Sequence, residues 1–291
     1  MFKFALGSIC VCVALIAAGA AKAGVVDGNR IMDQDMGENL CALTFDDGPS
    51  PYTPELLKTL DANGIKATFF LLGKNAAYYS DIARQVINAG HEIGNHSWSH
   101  PNLKKLGAEA QNWQIAATDA VLRELGAAPV YMRPPYGSFD QRTVKIVEDL
   151  GMSVILWSMD SYDWKRLPEN YARIVSTRGT VYEDGSLRGI FLFHDIHKKT
   201  VDDLPRIISE LKAGGCEKFV TVSEYLQGIL DPEPPLLMTR KELRDPKPAA
   251  DPGYALVQGP ERLARCSLPF GAVPLNLEDA TAAVSQPGTV H

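Results

Sequence analysis

Six short apolar runs rich in β-branched and aromatic residues punctuate the chain, at 40–45, 67–72, 130–133, 153–157, 190–194 and 219–222. Runs this short that stay apolar at successive positions, instead of alternating, are the pattern of strands buried on both faces, as in a parallel sheet. Amphipathic stretches with helix punctuation lie between them. Thr53 with Pro54 predicts an N-cap and first helical position, with Gly64 as the stop. Ser80 opens a helix that Gly90 closes, and Ser138 with Gln141 predicts a capping box ahead of Gly151. Strands alternating with helices predict an α/β fold with a parallel sheet.

The polar residues that break this pattern gather at one kind of place. Asp46-Asp47 follows the first run, His96 to His100 follows Ile93, Arg133 ends a run, Asp160 to Trp164 follows Val154 to Trp157, and His194 ends the run from Ile190. All are carboxyl ends of predicted strands, which a β/α barrel collects on one rim. An open doubly wound sheet is the alternative, but it brings five strand ends to one point less readily.

The ends of the chain read differently. Lys3, an apolar run from Phe4 to Ala20 and Ala21-Lys22-Ala23 have the form of a signal peptide over 1–23. The run has the length of a marginal membrane span, so an uncleaved anchor is the alternative; its small-residue ending favours cleavage. Cleavage predicts an exported chain, periplasmic or secreted, with no stable membrane span. Residues 24–37 form an irregular lead-in to a domain over 38–229, and from 230 to 291 a Pro-rich linker runs into a partly disordered tail.

With 291 residues, 45% of them hydrophobic, the chain can bury one large core. Its net charge of −6 gives no electrostatic reason to expect a nucleic-acid partner. Outside 1–23 the cysteines are Cys41, Cys216 and Cys266, an odd number. Cys41 falls in a core-strand pattern and is expected to be a small buried hydrophobe, leaving Cys216 and Cys266 as the pair open to bridging.

Two adjacent carboxylates need a cation or a shared proton, and they serve one pocket only if the backbone turns, which Gly48-Pro49 is expected to do. Downstream, His96 and His100 are spaced to put both rings on one side of a helical turn or tight loop. A single histidine is most often a packed or surface side chain; two at this spacing with Asp46-Asp47 upstream make a divalent-metal site. Its ligands would be Asp47, His96 and His100, a set that suits zinc and also accepts cobalt, nickel or manganese. Asp46 is then free to act as a base on metal-activated water. His194 qualifies as the acid and Asp163 as its carboxylate partner. Arg133 is placed to orient Asp46, and the backbone N–H of Tyr136 to meet a developing oxyanion. His91 reads as structural, Trp98 and Trp157 as core, and His197 has no assigned role.

In order along the chain, Thr44-Phe45-Asp46-Asp47-Gly48, His96-Ser97-Trp98-Ser99-His100, Arg133-Pro134-Pro135-Tyr136-Gly137, Asp160-Ser161-Tyr162-Asp163-Trp164 and Leu192-Phe193-His194 resemble the five motifs of the NodB-homology polysaccharide deacetylases, carbohydrate esterase family 4. The resemblance implies a distorted, TIM-like (β/α)7 barrel and metal-dependent removal of acetyl groups from N-acetylglucosamine polymers such as peptidoglycan or chitooligosaccharide, or O-acetyl groups from xylan. It implies the same roles for the residues above and adds Trp164 and Leu192 as the walls of an acetyl pocket. A metal-bound glycan-binding barrel with little turnover is the reading from another class.

Overall fold

A computed structural model describes residues 24–26, 39–165 and 187–228; the predicted leader, most of the predicted lead-in, residues 166–186 and the predicted Pro-rich linker and tail lie outside them. Among these residues the strands are β1 (Val25–Val26), β2 (Leu40–Asp46), β3 (Thr68–Leu71), β4 (Glu92–Asn95), β5 (Tyr131–Met132), β6 (Ser153–Ile155), β7 (Met159–Asp160), β8 (Gly189–His194) and β9 (Lys218–Val220). The helices are α1 (Thr53–Ala62), α2 (Gly73–Tyr78), α3 (Ser80–Asn88), α4 (Ala108–Glu124), α5 (Gln141–Asp149), α6 (Lys198–Ala213) and α7 (Val222–Gln227).

Hydrogen bonding runs in the order β1-β6-β5-β4-β3-β2-β8-β7, with β9 against the start of β2, and the strand pairs are parallel. This sheet curls. Laid flat, the path from β6 to β7 would be about 29 Å at ~4.8 Å per strand. Yet Ile155 and Met159 are four residues apart, a span of at most ~14 Å. The result is a distorted, TIM-like barrel of seven parallel strands, β2 to β8, with helices around it, as the sequence resemblance implies.

Curling gives every strand an inner and an outer face, which is why the apolar runs do not alternate. Along β2, Leu40 and Ala42 pack inside with Phe70, Ile155 and Ile190, while Leu43 and Phe45 face α1 and α6 through Leu56 and Leu204. A third cluster joins Ile115 of α4 and Val147 of α5 to Met132 and Val154. At the amino end of the strands α7 plugs the barrel, with Val222 and Tyr225 fully buried.

Several local expectations are corrected. Thr53 does not cap α1: its hydroxyl accepts from Ser50 N at 2.8 Å and donates to Asp195 at 2.5 Å, and Tyr52 occupies the N-cap position. The capping box of α5 is Asp140 with Thr143, two residues later than Ser138 with Gln141, because Ser138 instead donates to Asn102 Oδ1 at 2.9 Å. The run at 219–222 ends as a strand at Val220, since Thr221 and Glu224 form a capping box that starts α7 at Val222. Cys41 is buried but bridged, to Cys216 rather than left as a free thiol, because β9 lies along the start of β2 and brings the two Cα atoms to 6.1 Å. Cys266 lies outside the described residues.

His91 sits at the amino end of β4, away from the rim, packed edge-on to Phe69 at 5.2 Å and accepting from Ala67 N at 3.1 Å through Nδ1. Burial, helped by Lys66, pushes it down to about 4. Its folded pKa lies below the unfolded one, so its contribution is complete above the unfolded pKa of ~6.5 and is lost as pH falls toward about 4. Thermal melts from pH 7.5 to 4.5 are expected to show a smaller loss of Tm in His91→Gln, which keeps an acceptor for Ala67; parallel losses in both proteins would refute this account.

Candidate functional site

The pairing of β2 with β8 sets the centre of the site. Their register makes Asp46 and His194 direct neighbours, with Thr44 beside Leu192 one inward position below. Asp46 is buried and its Oδ1 accepts from Arg133 at 2.9 Å; the same guanidinium nitrogen reaches Thr44 Oγ1 at 2.6 Å. On a flat sheet the ends of β5 and β2 would be three strands, about 14 Å, apart, so this bond exists only because the sheet curls. Arg133 is fully buried, with its guanidinium 4.1 Å from the Phe70 ring centroid and 5.7 Å from that of Trp157. Gly94 makes the room, since a Cβ there would stand 2.3 Å from the Phe70 ring.

Alternation along β2 would send Asp47 to the outer face. It comes inward because Asp47 itself takes φ 72°, so the turn that the sequence suggested at Gly48-Pro49 begins one residue earlier, at the aspartate. All five non-glycine residues with positive φ among the described residues, Asp47, Ser97, His100, Tyr136 and Tyr162, fall in the motif segments. Left-handed backbone costs each on the order of 1–2 kcal/mol, so surrounding bonds must hold it. For Asp47 they come from Asn75 Nδ2 to its carbonyl at 2.7 Å and from Leu72 N to Gly48 O at 3.0 Å. The histidines are held in a tight loop after β4, where Asn95 Oδ1 accepts from Ser97 N at 2.9 Å and Gln114 of α4 accepts from the Trp98 and Ser99 N–H groups at 2.9 and 3.0 Å.

Asp47 Oδ1 lies 3.4 Å from both His96 Nε2 and His100 Nε2. Ligand atoms ~2.0–2.1 Å from a tetrahedral ion stand about 3.3 Å apart, so these three donors fit a zinc-sized cation. The same oxygen is buried with no hydrogen-bond partner. His96 donates from Nδ1 to the Arg133 carbonyl at 2.6 Å, which leaves the Nε2 lone pair facing Asp47. Burial and the neighbouring His96 push His100 down to about 4, so its ring is neutral and able to coordinate. Burial would raise Asp47, but the neighbouring His96, His100 and His194 outweigh it and hold its carboxyl well below the usual range.

Across the rim, Asp163 Oδ1 accepts from His194 Nδ1 at 2.7 Å, while Oδ2 takes the His194 N–H at 2.8 Å and the Thr200 hydroxyl at 2.9 Å. Burial opposes charge on His194, yet Asp163, with Asp47 and Asp46, raises it to about 10. Trp164 and Tyr136 are exposed, at 47% and 59%. The Trp164 indole donates to Asp160 at 3.4 Å, and the Tyr136 ring lies edge-on 4.5 Å from His100. Leu192 is buried. Trp98 packs on the outer core and against Trp113, and His197 stands 5.8 Å from the His194 ring. Sequence reasoning named Thr44 only as part of the first motif and did not single out Asn75, Asn95, Gln114, Thr200 or Asp195; of these five, Asn95, a polar residue closing an apolar strand, carried a signal.

The polysaccharide deacetylase family model matches residues 33–155. A peptidoglycan-N-acetylglucosamine deacetylase of Bacillus cereus is 39% identical over 192 residues, covering 64% of this chain and 68% of that protein. Chitin deacetylase 1 of Saccharomyces cerevisiae is 40% identical over 55% of this chain, which spans about half, 53%, of the yeast protein. Among solved structures, a mutant of a Bacillus anthracis family-4 pseudoenzyme, described as having restored enzymatic activity, superimposes with a TM-score of 0.59 at 30% identity, over 66% of this chain and 69% of the other. The chain belongs to the polysaccharide deacetylase family, carbohydrate esterase family 4.

Without Asp163, burial of His194 is opposed only by more distant charges. In chelator-treated protein, NMR titration of the His194 ring is expected to run near 10 in the wild type and to fall below ~6.5 in Asp163→Asn. An unchanged titration would remove Asp163 as the cause.

Proposed function

We propose that the chain is an exported, metal-dependent N-deacetylase that releases acetate from N-acetylglucosamine-type glycans, peptidoglycan or chitooligosaccharide. The observation that carries the reading is the juxtaposition of Asp46 with His194 on paired strands, beside the Asp47, His96 and His100 donors. The similar proteins named for peptidoglycan and chitin deacetylation support the substrate class.

Asp47, His96 and His100 would hold a divalent cation, zinc by their donor set, and when bound it would supply positive charge to polarise a carbonyl and acidify water. Asp46, kept aligned by Arg133 and Thr44, takes the proton of the attacking water. The Tyr136 backbone N–H donates to the developing oxyanion. His194, held protonated by Asp163, delivers its proton to the leaving amine nitrogen, so that amide and water become amine and acetate. Leu192 and Trp164 bound the acetyl methyl.

Similarity to a pseudoenzyme keeps a binding-only barrel in view; the complete acid, base and arginine set favours turnover. Acetate release from chitopentaose, peptidoglycan and acetylxylan, with zinc or cobalt and a chelator control, separates the readings. Chelator-sensitive release from an amino-sugar polymer is expected; release from acetylxylan alone would make the protein an O-acetyl esterase, and none from any would favour binding. Asp46→Asn is expected to lower kcat by ~10²–10⁴-fold with zinc retained, and His96→Ala to lose both. Normal turnover in Asp46→Asn would remove Asp46 as the base.

A further inference from the structure

Asp195 follows His194 and is wholly buried, yet no step above uses it. A buried carboxylate is costly unless something holds it. Its Oδ2 accepts from the Thr53 hydroxyl at 2.5 Å, and its backbone carbonyl accepts from the Ser50 hydroxyl at 2.8 Å. Its Oδ1 has no hydrogen-bond partner. What faces the carboxylate is the backbone of Gly48: a Cβ there would lie 2.4 Å from both carboxylate oxygens and 2.7 Å from their carbon. Gly48 does not take a positive φ, so the side-chain space, and not the backbone conformation, requires glycine. Burial pushes Asp195 up to about 7, so near neutrality it can pack as an uncharged acid.

These contacts join the two halves of the site. Residues 48–53 continue from Asp46 and Asp47, and Asp195 continues from His194. We propose that Asp195 is a positioning residue that seats the Asp46–Ser50 turn against the end of β8, and so fixes the separation of the Asp46 and Asp47 carboxylates from His194. It touches none of the reacting groups; it acts through Gly48, Ser50 and Thr53. The inference rests on the deacetylase reading for its kinetic consequence, but its effect on the metal donors stands apart from that reading.

The test is reciprocal substitution in the mature chain, reading zinc affinity by calorimetry, kcat and KM on chitopentaose, and Tm. Asp195→Ala is expected to lower kcat by ~10–100-fold with KM within about twofold, and to weaken zinc by about tenfold, the size of loss that misplaced reacting groups and unsupported ligands produce. Asp195→Asn, which keeps the shape and an acceptor for Thr53, should recover to within about threefold of wild type on both readouts. Gly48→Ala should reproduce the alanine defect by collision. The double variant Gly48→Ala with Asp195→Ala should exceed either single variant, because the added methyl enters the vacated space. Wild-type kcat and zinc affinity in Asp195→Ala, or a double variant as poor as the product of the singles, overturns the proposal. Should Asp195→Ala fail to fold, Ser50→Ala, which removes one hydroxyl bond, decides: a kcat loss of about threefold or more at unchanged Tm supports positioning, and an unchanged kcat overturns it. If the wild type releases no acetate from any glycan while zinc affinity follows the expected pattern, the deacetylase reading fails and the positioning role holds.

Discussion

The arrangement depends on one register. β2 and β8 run parallel with Asp46 beside His194, and that neighbourhood decides where every other group must come from. A carboxylate and an imidazolium on adjacent strands sit about one strand spacing apart without any loop having to place them. The remaining parts are brought to this pair by curvature: Arg133 crosses the barrel mouth to Asp46, and Asp163 reaches His194 from the segment after β7. Strands carry Asp46 and His194, the proposed base and acid, and the residues with left-handed backbone lie in the turns just beyond strand ends.

Electrostatics and strain are distributed to match. Three carboxylates, Asp46, Asp47 and Asp163, are each assigned a cation or an imidazole partner, so a mostly buried acidic centre is balanced locally. Asp195 is the exception, a fourth carboxylate set against glycine backbone. The same logic governs the backbone. Left-handed Asp47 and the loop with left-handed Ser97 and His100 are held by side chains from outside the motifs, Asn75 and Gln114, whereas Asp160 of the same motif holds Tyr162. Placement at the rim is therefore borrowed from Asn75 of α2 and Gln114 of α4, helices that the sequence pattern did not mark.

Most of the barrel was legible in the chain, and residues that the sequence nominated for a site lie together at the rim. Continuous apolar runs announced strands buried on two faces, and polar residues at their carboxyl ends marked the rim. Caps were read less well. Thr53 and Ser138 have the right chemistry to start helices, but each found a partner distant in sequence, Asp195 and Asn102, that local pattern does not reveal. Cysteine pairing failed for the same reason: Cys41 and Cys216 are 175 residues apart and meet only because β9 lies along β2.

The sequence by itself determined which residue types are available, their order, and the two-faced burial of the strands, because those follow from side-chain chemistry and short-range periodicity. Only the tertiary structure decided that Asp47 turns inward through its own backbone, that Gly48 is glycine because a carboxylate fills the space of its side chain, and that Arg133 lies within reach of Asp46. These are facts about distances between segments far apart in the chain, and such distances are set by the curl and register of the sheet as a whole.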